Sequence, residues 1–137
     1  MLTYVDSGVL MRIVEGDASR HAFLRQRADE VGAKVTSVVA RTECLVIAVR
    51  QSDADIVDAY EAAFASRDLD VIDVDGIIAD EAAIIRATFN LKVPDAIHVA
   101  TAVIQSSNLV LTTDSDLTRC DGYRGLKVEV IPRVSIR

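Results

Sequence analysis

The stretch that decides the fold is LKVPDAIHVATAVIQ, residues 91–105. Pro94 presets the φ angle of a first helical turn, where its missing N–H costs nothing, so Asp95 is expected in that turn. The residues after it are apolar around most of the helix, which is typical of a helix packed inside an α/β layer. Asp95, His98 and Thr101 share one stripe. This stripe is either the solvent face of the helix, with Asp95 complementing the helix dipole, or one wall of a site.

The chain has 137 residues, enough for one domain with a real core and too few for two ordinary ones. We therefore expect a single domain over residues 1–137. The sequence has no run of membrane-spanning length and no basic leader before an apolar segment, which predicts a cytoplasmic protein that does not enter a membrane. Cys44 and Cys120 match neither a disulfide framework nor a metal-ligand spacing, and both are interpreted as structural thiols.

The formal net charge of −6 disfavours a general nucleic-acid binder, because non-specific affinity comes from many Lys and Arg contacts with phosphates. An enzyme that meets a phosphodiester at a bound cation stays compatible with this charge, since the cation reverses the local sign. An acidic surface also suits a basic partner.

The rest of the chain alternates short β-rich runs with helical patterns. Strands are expected over residues 1–6, 34–36, 69–74, 108–113 and 127–131. Helices are expected after N-caps at Ser7, Ser37 and Asp75, and over residues 19–31, where Phe23 faces inward, and 53–67. Strands separated by helices indicate right-handed crossovers. The sequence therefore predicts a three-layer α/β/α domain with a mostly parallel central sheet.

Acidic residues stand where such a sheet forms its sites. Asp6 and Asp114 each follow a predicted strand, and sites in open parallel sheets lie outside the carboxyl ends of the strands. Asp95 begins the helix that leads into the strand before Asp114, so it can reach the same edge. Glu43 projects from an otherwise apolar helical surface, a short way into a helix that follows a strand.

Each of these acids also has a simpler interpretation. Asp6 and Asp114 suit a turn or a cap, and Asp95 suits the helix dipole. Glu43 could pair with a neighbouring arginine, Arg41 or Arg50, at the helix margin. The sequence leaves these alternatives open.

If the four acids meet, they cannot all stay ionised without a counter-charge. The simplest counter-charge is a hard divalent cation with oxygen ligands, Mg²⁺ or Mn²⁺. The chain has no Cys/His cluster, which disfavours zinc. His98 is accordingly expected to pack or to support a ligand rather than to bind the metal.

Four stretches, YVDSGVL, TSVVARTECL, VPDAIHVATA and LVLTTDSDL, resemble in order and spacing those of PIN-domain nucleases. Within that group they are most similar to the VapC-type toxins of bacterial toxin–antitoxin pairs. The resemblance covers essentially the whole chain and implies a Rossmann-like α/β/α fold. On the family's pattern the metal-binding acids are Asp6, Glu43, Asp95 and Asp114, with Asp116 as an auxiliary acid.

Two positions depart from that pattern. Leu117 stands where such proteins often have Phe, and Thr113 stands where Asn or Arg is common. The division of labour between Asp114 and Asp116 therefore stays open.

The resemblance implies Mg²⁺-dependent hydrolysis of phosphodiester bonds in a structured RNA such as tRNA or rRNA, with Mn²⁺ as a substitute cation. It also implies inhibition by a cognate antitoxin, which would dock on the helices around residues 38–49 and 53–67. Homodimers are common in the family.

Two rival interpretations remain. An aspartyl-phosphate phosphoacceptor domain, of the receiver or haloacid-dehalogenase kind, also places acids at strand ends. It usually has a second acid beside the first, whereas Asp6 is followed by Ser7 and Gly8, and Lys92 is poorly placed as a phosphate-binding lysine. The other rival is a catalytically weak PIN-like protein-binding module, although such a module has no physical reason to keep several repelling carboxylates together.

Overall fold

The fold comes from a computed structural model, which describes residues 1–16 and 22–132. The strands of this part are β1 (Leu2–Val5), β2 (Ala33–Ser37), β3 (Leu69–Ile72), β4 (Leu109–Thr112) and β5 (Lys127–Val130). Its α-helices are α1 (Ser7–Glu15), α2 (Ala22–Glu30), α3 (Val38–Arg50), α4 (Ala54–Phe64), α5 (Gly76–Phe89) and α6 (Val93–Ile104). Short 3-10 helices span Ser115–Cys120 and Tyr123–Gly125. Among these described helices, none has the length and apolar character needed to cross a bilayer.

The five strands form one parallel sheet in the order β3-β2-β1-β4-β5. The chain moves outward from β1 through β2 to the edge strand β3, then crosses to the other side of β1 to make β4 and β5. The direction of winding therefore reverses between β1 and β4, which is the switch point where α/β sheets form their sites. This sheet confirms the predicted three-layer fold. Its strand order also differs from the 2-1-3-4-5 order of receiver domains, which disfavours that rival.

Each face of the sheet carries its own apolar core. Tyr4 and Val110 face α5 and α6, while their chain neighbours Val5 and Leu111 face α1, α3 and α4. Alternating side chains are thus buried on both faces, as in other parallel sheets.

The two cysteines are free and buried, one in each core. Burial raises the pKa of the Cys44 thiol to about 12 and that of the Cys120 thiol to about 11. Both thiols stay protonated at neutral pH, so the structure agrees with their interpretation as structural thiols.

Helix α6 begins as predicted, but the side chains along its polar stripe are more buried than one of the two interpretations requires. Pro94 lies in the first turn and Asp95 follows it there. His98 is only 2% exposed and Thr101 is fully buried. The stripe that these residues share therefore faces the interior, and its interpretation as a solvent face is wrong.

The predicted N-caps are confirmed at α3 and α5, and the one predicted at α1 is wrong. Ser37 and Asp75 each accept a hydrogen bond from the third backbone N–H that follows, as expected. At α1 the prediction of Ser7 is wrong, because the cap is Asp6, which accepts from the N–H of Val9 at 3.0 Å. Strand β1 ends at Val5, one residue earlier than predicted. Asp6 therefore lies just after the strand and caps α1.

Helix α2 differs from the prediction on its inner face. Phe23 was expected to be buried and is 63% exposed. Arg27, one turn further along, is 27% exposed and pairs with Glu129 of β5, so this face of α2 lies at the margin of the core and not inside it. The predicted start at Ser19 lies outside the described residues. The buried stripe of α2 and of the residue after it contains Leu24, Ala28 and Val31.

Gly8 allows α1 to approach the segment after β4. A Cβ atom built on Gly8 would lie 2.0 Å from Oγ1 and 3.3 Å from Cβ of Thr113. These distances leave no room for a side chain. Because Gly8 has no side chain, α1, which Asp6 caps, can lie this close to the segment that carries Asp114.

We expect Gly8→Ala to destabilise the fold by about 1–3 kcal/mol, because the added methyl overpacks against Thr113. The gain that alanine normally brings inside a helix works in the opposite direction and is smaller. Urea unfolding measures the difference. Gly76→Ala is the matched control, since a Cβ there meets no atom within 4 Å. Equal shifts in the two variants would contradict the clash, and a Thr113→Ala background should remove most of the Gly8→Ala penalty.

Candidate active site

Asp6 is the most buried of the predicted site acids, with 5% of its surface exposed. One carboxylate oxygen accepts from the N–H of Val9, and the other accepts from the hydroxyl of Thr112. Burial raises the pKa of Asp6, while the hydrogen bond from Thr112 and the charge of His98 oppose that rise. The carboxylate is therefore held between the start of α1 and the end of β4.

Thr112 is a site residue that the sequence analysis missed. It is the fully buried last residue of β4, and its hydroxyl donates to Asp6 while its oxygen accepts from the N–H of Asp114 at 2.9 Å. The predicted strand over residues 108–113 ends in two adjacent threonines before the acidic segment, and this pair was the available signal. One side chain thus joins the two acids that end β1 and β4.

Asp114 and Asp116 lie in different surroundings. Asp114 caps the 3-10 helix after β4, where its side chain accepts from the N–H of Asp116 at 2.9 Å. The Asp116 side chain is 49% exposed and lies 3.4 Å from the guanidinium of Arg119. Arg119 also donates to the carbonyl oxygen of Asn90 at 3.1 Å. Asp116 is therefore paired with an arginine at the rim, whereas Asp114 follows the end of β4.

The pKa of Asp95 is affected by the charges of the other predicted acids. Its pKa is raised, first by burial and then by the negative charge of Asp114. The charges of Glu43 and Asp6 add to the rise, and His98 opposes it. The charges of the other three predicted acids thus all raise the pKa of Asp95.

Glu43 is held by a histidine from another helix. Its side chain is 35% exposed, and Oε1 lies 2.7 Å from Nε2 of His98. Burial alone would raise the pKa of Glu43, but the hydrogen bond and charge of His98, with a hydrogen bond from Ser7, lower it overall. The alternative salt bridge to an arginine does not occur among the described residues, where the guanidinium of Arg41 instead lies over the ring of Phe64 at 5.3 Å.

The donor chemistry of this group fits a hard divalent cation. The four acids offer only carboxylate oxygens, the ligands that Mg²⁺ and Mn²⁺ prefer, and their mutual repulsion is what such a cation would relieve. Within residues 1–16 and 22–132, however, no three His, Cys, Asp or Glu side chains form a ready-made ligand group. In the described residues, the fit to a cation is therefore one of donor chemistry and not of a preformed ligand geometry.

The chain matches the family model of the PIN domain over residues 3–123. It belongs to the PIN domain family, whose fold is the one that the resemblance in sequence implied. A comparison with curated proteins finds no match.

Solved structures with a similar fold include several described as toxins or toxin–antitoxin complexes. A toxin–antitoxin complex from Klebsiella pneumoniae is 20% identical with a TM-score of 0.72, covering 90% of this chain and 94% of its own. The sarcin–ricin-loop-cleaving toxin VapC20 of Mycobacterium tuberculosis is 19% identical with a TM-score of 0.70, covering 85% and 92%. VapBC2 of Rickettsia felis, bound to a promoter DNA fragment, is 12% identical with a TM-score of 0.69, covering 96% and 99%.

We expect Asp95→Asn to stabilise the metal-free protein at pH 7 by up to about 1 kcal/mol, the size of a partly screened charge interaction. The raised pKa of Asp95 means that its ionised form is disfavoured by folding. The penalty is absent below the unfolded-state pKa, about 3.9, and grows as the pH rises through the folded-state value. The gain should therefore vanish at acid pH.

Thermal unfolding of both proteins across pH 3 to 8 measures this gain. Asp80→Asn is the control, because it removes the same charge from an exposed position on α5. A pH-independent gain, or the same gain in the control, would contradict the electrostatic interpretation.

Proposed function

We propose that this chain is a single PIN domain over residues 1–137 that acts as a metal-dependent endoribonuclease toxin of a type II toxin–antitoxin system. It hydrolyses phosphodiester bonds in structured RNA, tRNA or rRNA, in the cytoplasm. The observation that carries the proposal is the set of four acids at the switch point, whose charges converge on Asp95. The PIN family match supports the same conclusion.

In this proposal the carboxylates of Asp6, Glu43, Asp95 and Asp114 hold Mg²⁺, with Mn²⁺ as a substitute. When bound, the cation would supply a water of lowered pKa and a positive charge for the phosphate. Thr112 holds Asp6 and the backbone of Asp114 in register. Asp114 is favoured over Asp116 as the fourth ligand. The negative charge of Asp114 raises the pKa of Asp95, whereas Asp116 is paired with an arginine.

The RNA substrate is proposed to be selected by shape at a few contacts. A chain of net charge −6 lacks the many cations that hold RNA without regard to sequence. Cleavage at few positions in folded RNA suits such a chain, since structured RNA is recognised largely through its shape. The described activity of VapC20, cleavage of the sarcin–ricin loop, is an example of this class of substrate.

The cognate antitoxin is proposed to dock on α3 and α4, over residues 38–49 and 53–67. Val46, Ile47 and Val49 are exposed apolar side chains on α3, beside a groove of about 420 Å³. The acidic charge of the chain suits a basic partner. The structural neighbour from Klebsiella pneumoniae is described as a toxin–antitoxin complex. A homodimer, common in the family, remains a prediction.

A second candidate is a catalytically weak PIN-like protein-binding module. It is favoured by the absence of a ready-made metal-ligand group in the described residues. It would keep the α3–α4 docking surface and lack hydrolysis. The same assay separates the two candidates.

The purified chain, free of antitoxin, should cut a mixture of tRNA and rRNA at discrete positions with Mg²⁺ or Mn²⁺, and not with EDTA. Asp6→Asn, Glu43→Gln, Asp95→Asn and Asp114→Asn should each lower the rate by about 100-fold or more, since each removes a proposed ligand itself rather than a partner of one. Asp116→Asn should lower it less than about fivefold, the worth of an exposed ion pair. Primer extension locates the cuts.

Asp80→Asn is the charge-matched control for this series. Equal cutting by all variants would mean a contaminating nuclease. Intact folding without cutting by the unsubstituted chain, under every metal condition, would support the binding module instead.

The proposed docking surface predicts that a substitution can weaken inhibition by the antitoxin without changing RNA cleavage. Ile47→Lys should weaken inhibition by an antitoxin about tenfold or more, because it places a charge in an apolar contact with a basic partner, while cleavage itself stays unchanged. Ile84→Lys on α5 is the control, since Ile47 and Ile84 are similarly exposed, 55% and 51%. Titration of cleavage with a partner protein that blocks the unsubstituted chain gives both numbers. Equal weakening by the two substitutions would place the antitoxin elsewhere.

A further inference from the structure

A chain of hydrogen bonds runs through the core and ends on Glu43. The hydroxyls of Ser37 and Tyr4 lie 3.0 Å apart, the Tyr4 hydroxyl lies 2.6 Å from Nδ1 of His98, and Nε2 of His98 lies 2.7 Å from Oε1 of Glu43. Ser37, Tyr4 and His98 are at most 2% exposed. Only the last member of the chain reaches solvent.

The chemistry of each member fixes the direction of the last bond. An ionised carboxylate only accepts, so Nε2 of His98 carries the hydrogen that is donated to Glu43. The Tyr4 hydroxyl can donate to Nδ1 of a neutral ring or accept from an imidazolium, and the Ser37 hydroxyl serves as its other partner in both cases. The contact with Glu43 is therefore kept in either form of the ring.

The hydrogen bonds also close a loop on helix α3. Ser37 is the N-cap of α3, accepting from the N–H of Ala40, and Glu43 lies on the same helix. Tyr4 of β1 and His98 of α6 lie between Ser37 and Glu43 in the chain of hydrogen bonds. These two side chains therefore connect the start of α3 to the Glu43 carboxylate. A rotation of α3 about its axis would break a contact in this closed set.

We propose that His98 is a positioning residue for metal binding: through the buried hydrogen bonds of Tyr4 and Ser37 it fixes the Glu43 carboxylate in the site without touching the cation. The inference rests on the proposed function for the role of Glu43. Ligand carboxylates are commonly oriented by such hydrogen bonds, and His98 does so from within the core, where its ring cannot rotate freely.

The test measures Mn²⁺ binding to the metal-free protein by electron paramagnetic resonance, without RNA. His98→Leu should raise the half-saturating Mn²⁺ concentration about tenfold or more, the usual cost of losing a partner of a ligand. His98→Gln keeps a side-chain N–H donor and should recover a large part of the loss. Tyr4→Phe should give a smaller increase, because it removes only the support of the ring.

Tyr60→Phe is the matched control for Tyr4→Phe. Tyr60 is also fully buried and its hydroxyl also donates to a carboxylate, that of Glu15. The Tyr60→Phe variant should bind Mn²⁺ as the unsubstituted protein does, even though the variant is less stable. Circular dichroism and thermal unfolding of every variant show whether a change in binding follows from a change in folding.

Unchanged Mn²⁺ binding in a folded His98→Leu variant would overturn the inference, and so would a His98→Gln variant no better than His98→Leu. If the unsubstituted protein binds Mn²⁺ and does not cut RNA, the proposed function fails while the positioning role is still measured. If it binds no Mn²⁺, both the inference and the metal part of the proposed function are overturned.

Discussion

The burial of one carboxylate, Asp6, is the constraint on which the rest of the site depends. A charge taken out of water must be compensated by hydrogen bonds, and Asp6 obtains them from the N–H of Val9 and the hydroxyl of Thr112. These two donors belong to the start of α1 and the end of β4, so satisfying the carboxylate fixes both segments. The two segments approach most closely at Gly8, where an added Cβ would meet Thr113.

The two faces of the sheet contribute to this site in different ways. On the face of α1, α3 and α4, the core cluster is mainly apolar, and α3 carries Glu43. On the face of α5 and α6, polar side chains reach the site through the core, as Tyr4 and His98 do. A buried polar chain of this kind specifies one arrangement, because each member that lost its partner would remain desolvated.

The features predicted well from sequence are those that depend on neighbouring residues. The caps at Ser37 and Asp75, the first turn after Pro94 and the buried run of β4 all follow from patterns a few residues long. The cap at α1 failed because Asp6 and Ser7 are both good caps and only the end of β1 decides between them. The contact between His98 and Glu43 joins positions 55 residues apart, and the bond from Thr112 to Asp6 joins positions 106 apart. Such pairings depend on strand order, which no local pattern contains, and the site roles themselves stay predictions.

The central place of β1 has a consequence for the protein as it is being made. The strand is the first to leave the ribosome, yet one of its two edges stays unpaired until β4 emerges, because Thr3 pairs with Leu109 and Val5 with Leu111. Pairing across such separations is slow and cannot begin before the later segment exists. Asp6 and Asp114 are likewise brought together only by the last quarter of the chain. A nascent chain therefore carries an incomplete set of acids throughout most of its synthesis, and the order of translation itself delays the assembly of the site.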